Sequence, residues 1–494
     1  MKKYIGLFLL TSILFSACKK DIASLNNDPK NPVLVPSYAL FTNAERTLAS
    51  TMTSSNVNLN IFRLVEQQWQ ETTYTDESNY DITTRPIPDN LWNAMYRDVL
   101  YNLERAKTLI PTDVTGVDVQ KNELATADIL QVYTYYYLLT TFGNIPYTDA
   151  LDIKKTFPRF DDAQTVYNSL LTRLDADIAA LKTGASGFGA ADVIYGGDIT
   201  AWKKFAATLK LKMGITMVDV DNAKAKSVIE SAIATGVFTS NSDNAKFTFV
   251  ASPPNTNPIW VDLVQSARQD FVGNSTIMDL LQPLNPNGTP KYPADPRLPY
   301  FFTVNTDGQY AGANPGESAT FSLFSKPSGP LLVKGSIGSI TNPDFPATLL
   351  DYAETEFNLA EAASRGYAVA GTVAGHYNAG VTASVTDWGA TAGAAATYLL
   401  QPNVAFATAA GSNNLQKIAV QKYLALYNRG WDAWIETRRL DYPVLLAPET
   451  AQTAFPVRFT YPVNEQNVNQ VNYDKAAAAI GGDKVTTKLF FDKH

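Results

Sequence analysis

Two stretches of the chain combine aromatic rings with amide, carboxylate and guanidinium groups. The first, Gln67 to Tyr80, holds Trp69, Tyr74, Asp76, Asn79 and Tyr80. The second, Asn257 to Asn274, holds Trp260, Arg268, Asp270, Phe271 and Asn274. Flat aromatic faces cover the apolar surface of a ligand, while amides, carboxylates and Arg bond its polar groups. Trp69, Tyr74, Trp260 and Arg268 are therefore the candidate ligand-binding residues. The same rings would serve equally well in a core.

Two carboxylates suffice for glycoside hydrolysis, and Asp76, Glu77, Asp262 and Asp270 lie near these aromatics. Their spacing singles out no acid and no nucleophile, so the chain is expected to bind without catalysing. The histidines are His376 and His494 alone, too few for His-based catalysis or a His-rich metal site. His376, in Gly375-His376-Tyr377, reads as a helix-surface residue. Calcium could be held by carboxylates and carbonyls, but the sequence contains no EF-hand-like loop. No cofactor and no metal is expected. The formal net charge is −7 and no long Lys/Arg run occurs, which argues against nucleic acid as a partner, since such binding depends on neutralising phosphates.

The elements that must position these residues are mainly helical. Val166, Leu170, Leu174, Ile178 and Leu181 recur at spacings of four and three, as do Leu350, Ala353, Phe357, Ala360 and Ser364, giving apolar stripes. Further helices are predicted from about Tyr38 to Met52, Asp89 to Leu109, Asn122 to Thr141, Thr200 to Asp219 and Asn414 to Asn428. Small residues such as Ala353 and Ala360 would let neighbouring helices approach closely. The expected fold is a scaffold of stacked, tetratricopeptide-like helical hairpins over 37–238 and 349–494. Between 239 and 348 the character changes. Pro, Gly and Asn cluster in Ser252-Pro253-Pro254-Asn255, Pro283-Leu284-Asn285-Pro286-Asn287-Gly288 and Ser325-Lys326-Pro327-Ser328-Gly329-Pro330. A loop-rich insertion with short strands is expected there, and long ordered loops on a rigid scaffold commonly carry binding sites.

At the start, Lys2 and Lys3 precede an apolar run from Ile5 to Phe15 and then Phe15-Ser16-Ala17-Cys18. That run is shorter than the roughly 20 residues needed to cross a bilayer, so residues 1–17 read as a secretory signal peptide. Ser16-Ala17-Cys18 resembles the lipobox of bacterial lipoproteins, which makes Cys18 the expected lipidation site and first mature residue. Cys18 is also the sole cysteine, so the body cannot be stapled by a disulfide. Residues 18–36, with Asn26-Asn27-Asp28-Pro29, read as the lipidated cysteine and its tether.

Several motifs, in order, resemble those of the SusD/RagB family of nutrient-binding outer-membrane lipoproteins, most closely its SusD-like branch found in Bacteroidota. They include Leu25-Asn26-Asn27-Asp28-Pro29, Gln67-Gln68-Trp69, Phe142-Gly143-Asn144-Ile145-Pro146-Tyr147, Trp202-Lys203-Lys204-Phe205-Ala206 and Asp295-Pro296-Arg297. Gly430-Trp431-Asp432-Ala433-Trp434, Arg438-Arg439 and Phe459-Thr460-Tyr461-Pro462 continue the series. Two departures are Phe490-Phe491-Asp492, where the family usually has tryptophans before the aspartate, and Lys19-Lys20-Asp21, where surface-exported relatives often carry a more acidic patch. The resemblance implies a lipid-anchored protein of the outer membrane, exposed at the cell surface. It implies capture of an oligosaccharide or other oligomeric nutrient and delivery to a SusC-like TonB-dependent transporter. A scaffolding lipoprotein of the envelope and a carboxylate-dependent glycoside hydrolase are the alternatives. Most of the motifs read as structural: Trp202, Trp431 and Trp434 as core, Gly143, Gly197 and Gly482 as turns, and Arg438 and Arg439 as partners of helix-end carbonyls or carboxylates.

Overall fold

The computed structural model describes residues 35–328 and 339–494. The expected signal peptide, Cys18 and most of the tether therefore lie outside the described residues.

The described chain is built from helices joined by irregular segments and three two-stranded ladders. Helix α1 spans Ser37–Thr53. A helical run follows from Ile87–Asn93 through a π-helical stretch, Ala94–Leu100, into α2, Tyr101–Asp113. Next come α3 (Val117–Phe142), α4 (Ala163–Ala180), α5 (Ile199–Thr216) and α6 (Asn222–Thr235). After residues 239–348 lie α7 (Tyr352–Ser364), α8 (Val373–Asp387), α9 (Asn414–Ala425) and α10 (Gly430–Leu440). Helices adjacent in sequence pack against each other in pairs, α3 on α4, α5 on α6 and α7 on α8. This is the helical-hairpin scaffold expected from the apolar periodicity.

Local chemistry sets the helix starts. Asp162, Asp198, Asp221, Asp351, Thr372 and Asn413 each sit at an N-cap, and their side-chain oxygens accept backbone N–H groups of the first turn, relieving donors that have no partner within the helix. One predicted stripe is corrected by this rule. Leu350 ends a strand, Ala347–Leu350, and α7 begins only after the Asp351 cap. Small residues do set helix approach. Ala353 and Ala360 are buried in a core shared by α7, α8 and α9. A Cβ built on Gly380 of α8 would stand 2.9 Å from the Phe357 ring of α7.

The family-like motifs hold this scaffold together from inside. Asp192 accepts the Trp202 indole N–H at 2.6 Å and the Gly197 amide at 2.9 Å. Arg297 and Asp295 form a fully buried pair at 2.6 Å. Lys212 of α5 bridges Glu354 of α7, at 2.6 Å, and Asp432 of α10, while Arg429 contacts Asp351, Glu354 and Asp432. Arg438 donates to the Trp434, Thr140 and Val457 carbonyls, and Arg439 to Glu361 and Glu436. Trp202, Trp431 and Trp434 are buried. Phe491, at the C-terminal departure, is buried under the Arg438 guanidinium, whose carbon lies 4.9 Å from the ring centre.

His376 departs from its surface reading. Its Nδ1 lies 2.6 Å from Glu356 Oε2 and its Nε2 lies 2.7 Å from the Ala370 carbonyl, so the ring clamps the start of α8 onto α7. The Glu356 bond, ahead of a smaller opposing effect of burial, raises its pKa.

Candidate functional site

The two aromatic stretches meet. Strand β1, Trp69–Glu71, pairs antiparallel with a strand of the second stretch, β2, Phe271–Gly273; Trp69 opposes Gly273 and Glu71 opposes Phe271. Just past this ladder the Thr72 amide donates to the Asp270 carbonyl at 2.8 Å and the Thr72 hydroxyl donates to the Gln269 carbonyl at 2.7 Å. Both chains then turn outward, with Tyr74 at φ 53° and Ala267 at φ 51°. That left-handed backbone is uncommon for residues with a Cβ.

Between the two flared ends lies a cavity of about 320 Å³, lined by Val57, Glu71, Thr73, Tyr74, Arg85, Arg268, Asp270 and Phe271. Tyr74 is 81 % exposed, so the ring is open to a ligand rather than packed. The Arg268 side chain is 60 % exposed and pairs with Asp270 across the rim. Opposite, Arg85 pairs with Glu77 at 2.6 Å. Each guanidinium thus has its own carboxylate, leaving a polar wall without strong net charge.

Behind the wall stand two carboxyls. Burial, aided by the neighbouring Glu77 charge, pushes Glu71 up to about 9 against the pull of the Ser78 amide, which donates to it at 2.9 Å. Burial also raises Glu77, against the Glu71 hydrogen bond and the Arg85 charge. Both carboxyls are thus pushed towards the neutral form, and Glu71, the one that lines the cavity, adds little negative charge to it.

Two of the four predicted ligand residues, Tyr74 and Arg268, are brought together here. Trp69 is not among them. It is 1 % exposed, donates its indole N–H to the Tyr427 hydroxyl at 3.1 Å, lies 5.5 Å from the Phe271 ring and is covered by Arg63. Pairing with β2 turns its face inward, so Trp69 is a core residue and offers no ring to a ligand. Trp260 ends the short helix Pro258–Trp260, is half-buried and does not line the cavity. Of the candidate carboxylates, Glu77 is buried against Arg85, Asp76 stands 4.0 Å from the same Arg, Asp262 accepts from the Ser55 hydroxyl at 2.7 Å, and Asp270 is held by Arg268. Val57, Glu71 and Arg85 also line the cavity and are not among the candidates above. Only Glu71 carried a signal, standing two residues from Trp69.

The sequence matches a family described as starch-binding associating with outer membrane, over residues 29–462. The chain belongs to the SusD-like family. No curated protein matches it. Among solved structures, a chitin-binding protein superposes on this SusD-like protein with a TM-score of 0.74 at 24 % identity, covering 93 % of this chain and 100 % of the other. A SusD homologue from Bacteroides uniformis gives 0.74 at 24 % identity, covering 92 % and 100 %. A chitin-binding SusD homologue from Flavobacterium johnsoniae gives 0.72 at 23 % identity, covering 94 % and 96 %. At these identities the likeness establishes the fold. No helix among the described residues of this SusD-like protein is long and apolar enough to cross a membrane.

Proposed function

We propose that this SusD-like protein is a non-catalytic, lipid-anchored surface protein that captures an oligosaccharide and hands it to a SusC-like TonB-dependent transporter. The observation that carries the reading is Tyr74, an exposed aromatic face over a cavity whose polar wall is supplied by Arg268, Asp270 and Arg85. An aromatic platform with nearby hydrogen-bonding groups and little net charge suits a neutral sugar. The starch-binding description of the family and the chitin-binding relatives support the same ligand class. Lipid on Cys18 would supply the membrane attachment. The envelope-scaffold alternative leaves this open aromatic cavity without a use. Calorimetric titration of the mature chain with starch and chitin oligosaccharides tests the reading. Saturable binding that weakens in Tyr74→Ala and Arg268→Ala is expected, and binding unaffected by either substitution would remove the site.

A further inference from the structure

A second cavity, of about 260 Å³, lies beside the first and is lined in part by Arg46, Ser50, Asn56, Phe249, Asn255 and Asp262. The two cavities share a thin wall. Asn56 lines one and the next residue, Val57, lines the other. On the opposite side, the Arg268 amide donates to the Asp262 carbonyl at 3.3 Å, and these residues again face different cavities. Ser55 Oγ, donating to Asp262 Oδ2 at 2.7 Å, ties the two sides together. The two cavities are thus separated by the single layer of residues Ser55–Val57 and Asp262–Arg268.

The chemistry of the second cavity differs from that of the first. Arg46 and Ser50 stand four residues apart on α1 and so share a face. Arg46 forms no ion pair among the described residues, and its guanidinium donates only to Asn43 Oδ1, at 2.9 Å. The Asn56 carbonyl oxygen accepts from Asn58, while its NH₂ group donates to nothing among the described residues, and the Asn255 side chain is likewise without a hydrogen bond there. Asp262 already accepts from Ser55. Donors thus outnumber free acceptors, in contrast to the paired Arg268–Asp270 and Arg85–Glu77 groups next door.

We infer that this cavity is a second subsite of the glycan-capture site, taking an acceptor-rich unit of the same oligosaccharide through Arg46, Asn56 and Asn255. The inference rests on the capture reading and adds a minimum ligand length to it. It is tested by titrating the mature protein with chitin and starch oligosaccharides from one unit to six. Affinity is expected to rise by about tenfold once the oligomer spans both cavities, the worth of one charge-assisted hydrogen bond. Arg46→Ala and, separately, Asn255→Ala should each reduce that gain and leave the shortest bound oligomer unaffected, whereas Tyr74→Ala should weaken every length. If Tyr74→Ala weakens binding while both other variants match wild type at all lengths, the subsite is overturned and the capture site stands. If wild type binds neither series, the capture reading falls and the subsite with it.

Discussion

Thr72 and Asp270, remote in sequence, are joined backbone to backbone at 2.8 Å, and that bond closes the ladder beyond which Tyr74 and Arg268 face one cavity. The ladder has opposite effects on two of the candidate rings. It buries Trp69 and leaves Tyr74 exposed.

That opposition gives a paired prediction. Trp69→Ala should destabilise the protein by about 3–5 kcal/mol, the usual cost of emptying a buried Trp site, read as a lowered denaturation midpoint. Tyr74→Ala should leave the midpoint unchanged and weaken oligosaccharide binding by about threefold to tenfold, in keeping with one aromatic contact. Calorimetric titration alongside chemical denaturation separates the two effects.

Lys212 tests the buried ionic network. Its ammonium bridges Glu354 and Asp432 in the interior, and removing one member leaves uncompensated charge. Lys212→Met should cost about 3–5 kcal/mol, again read by denaturation. Burial would raise Glu354, but Lys212 and Arg429 outweigh it and hold the carboxyl at about 2. A depressed carboxyl stabilises the fold above its unfolded value, and that stability is lost as pH falls towards 2. The wild type should therefore lose more stability than Lys212→Met on acidification.

Glu66 acts at the other end of the pH scale. Burial pushes it up to about 8, against the Thr437 hydroxyl bond and the Arg438 charge. The folded protein then holds a proton that the unfolded chain releases, so stability falls as pH rises from the ordinary value of 4.5 towards 8. Glu66→Gln should flatten that decline in a series of thermal melts, and an unchanged slope would show that Glu66 is ionised in the fold.

Anchoring is tested without reference to the folded body. Cys18→Ala should release the mature protein from the membrane fraction, since a single acylated cysteine is the attachment proposed. Retention in washed membranes of a variant from which residues 1–17 have been removed would contradict lipidation as the anchor.

Much of the scaffold was legible from periodicity and capping. The predicted helix from Tyr38 to Met52 is Ser37–Thr53, and that from Asn122 to Thr141 is Val117–Phe142. Both aromatic stretches were visible too, since their composition is local. Their meeting was not, because pairing of Glu71 with Phe271 is a tertiary choice between distant segments. Without that register, the buried and open rings could not be told apart. Trp69 therefore read as a ligand platform, and Arg85 and Val57, which carry no local signal, went unnoticed. The contact of His376 with Glu356 is hidden from sequence for a similar reason, the carboxylate lying on another helix.

The most direct test of the account is calorimetric titration of the mature protein with starch and chitin oligosaccharides, with release of reducing ends assayed in the same samples. The account predicts saturable binding of one series, weakened by Tyr74→Ala, with no new reducing ends. Absence of binding to both, or the appearance of cleaved product, would contradict it.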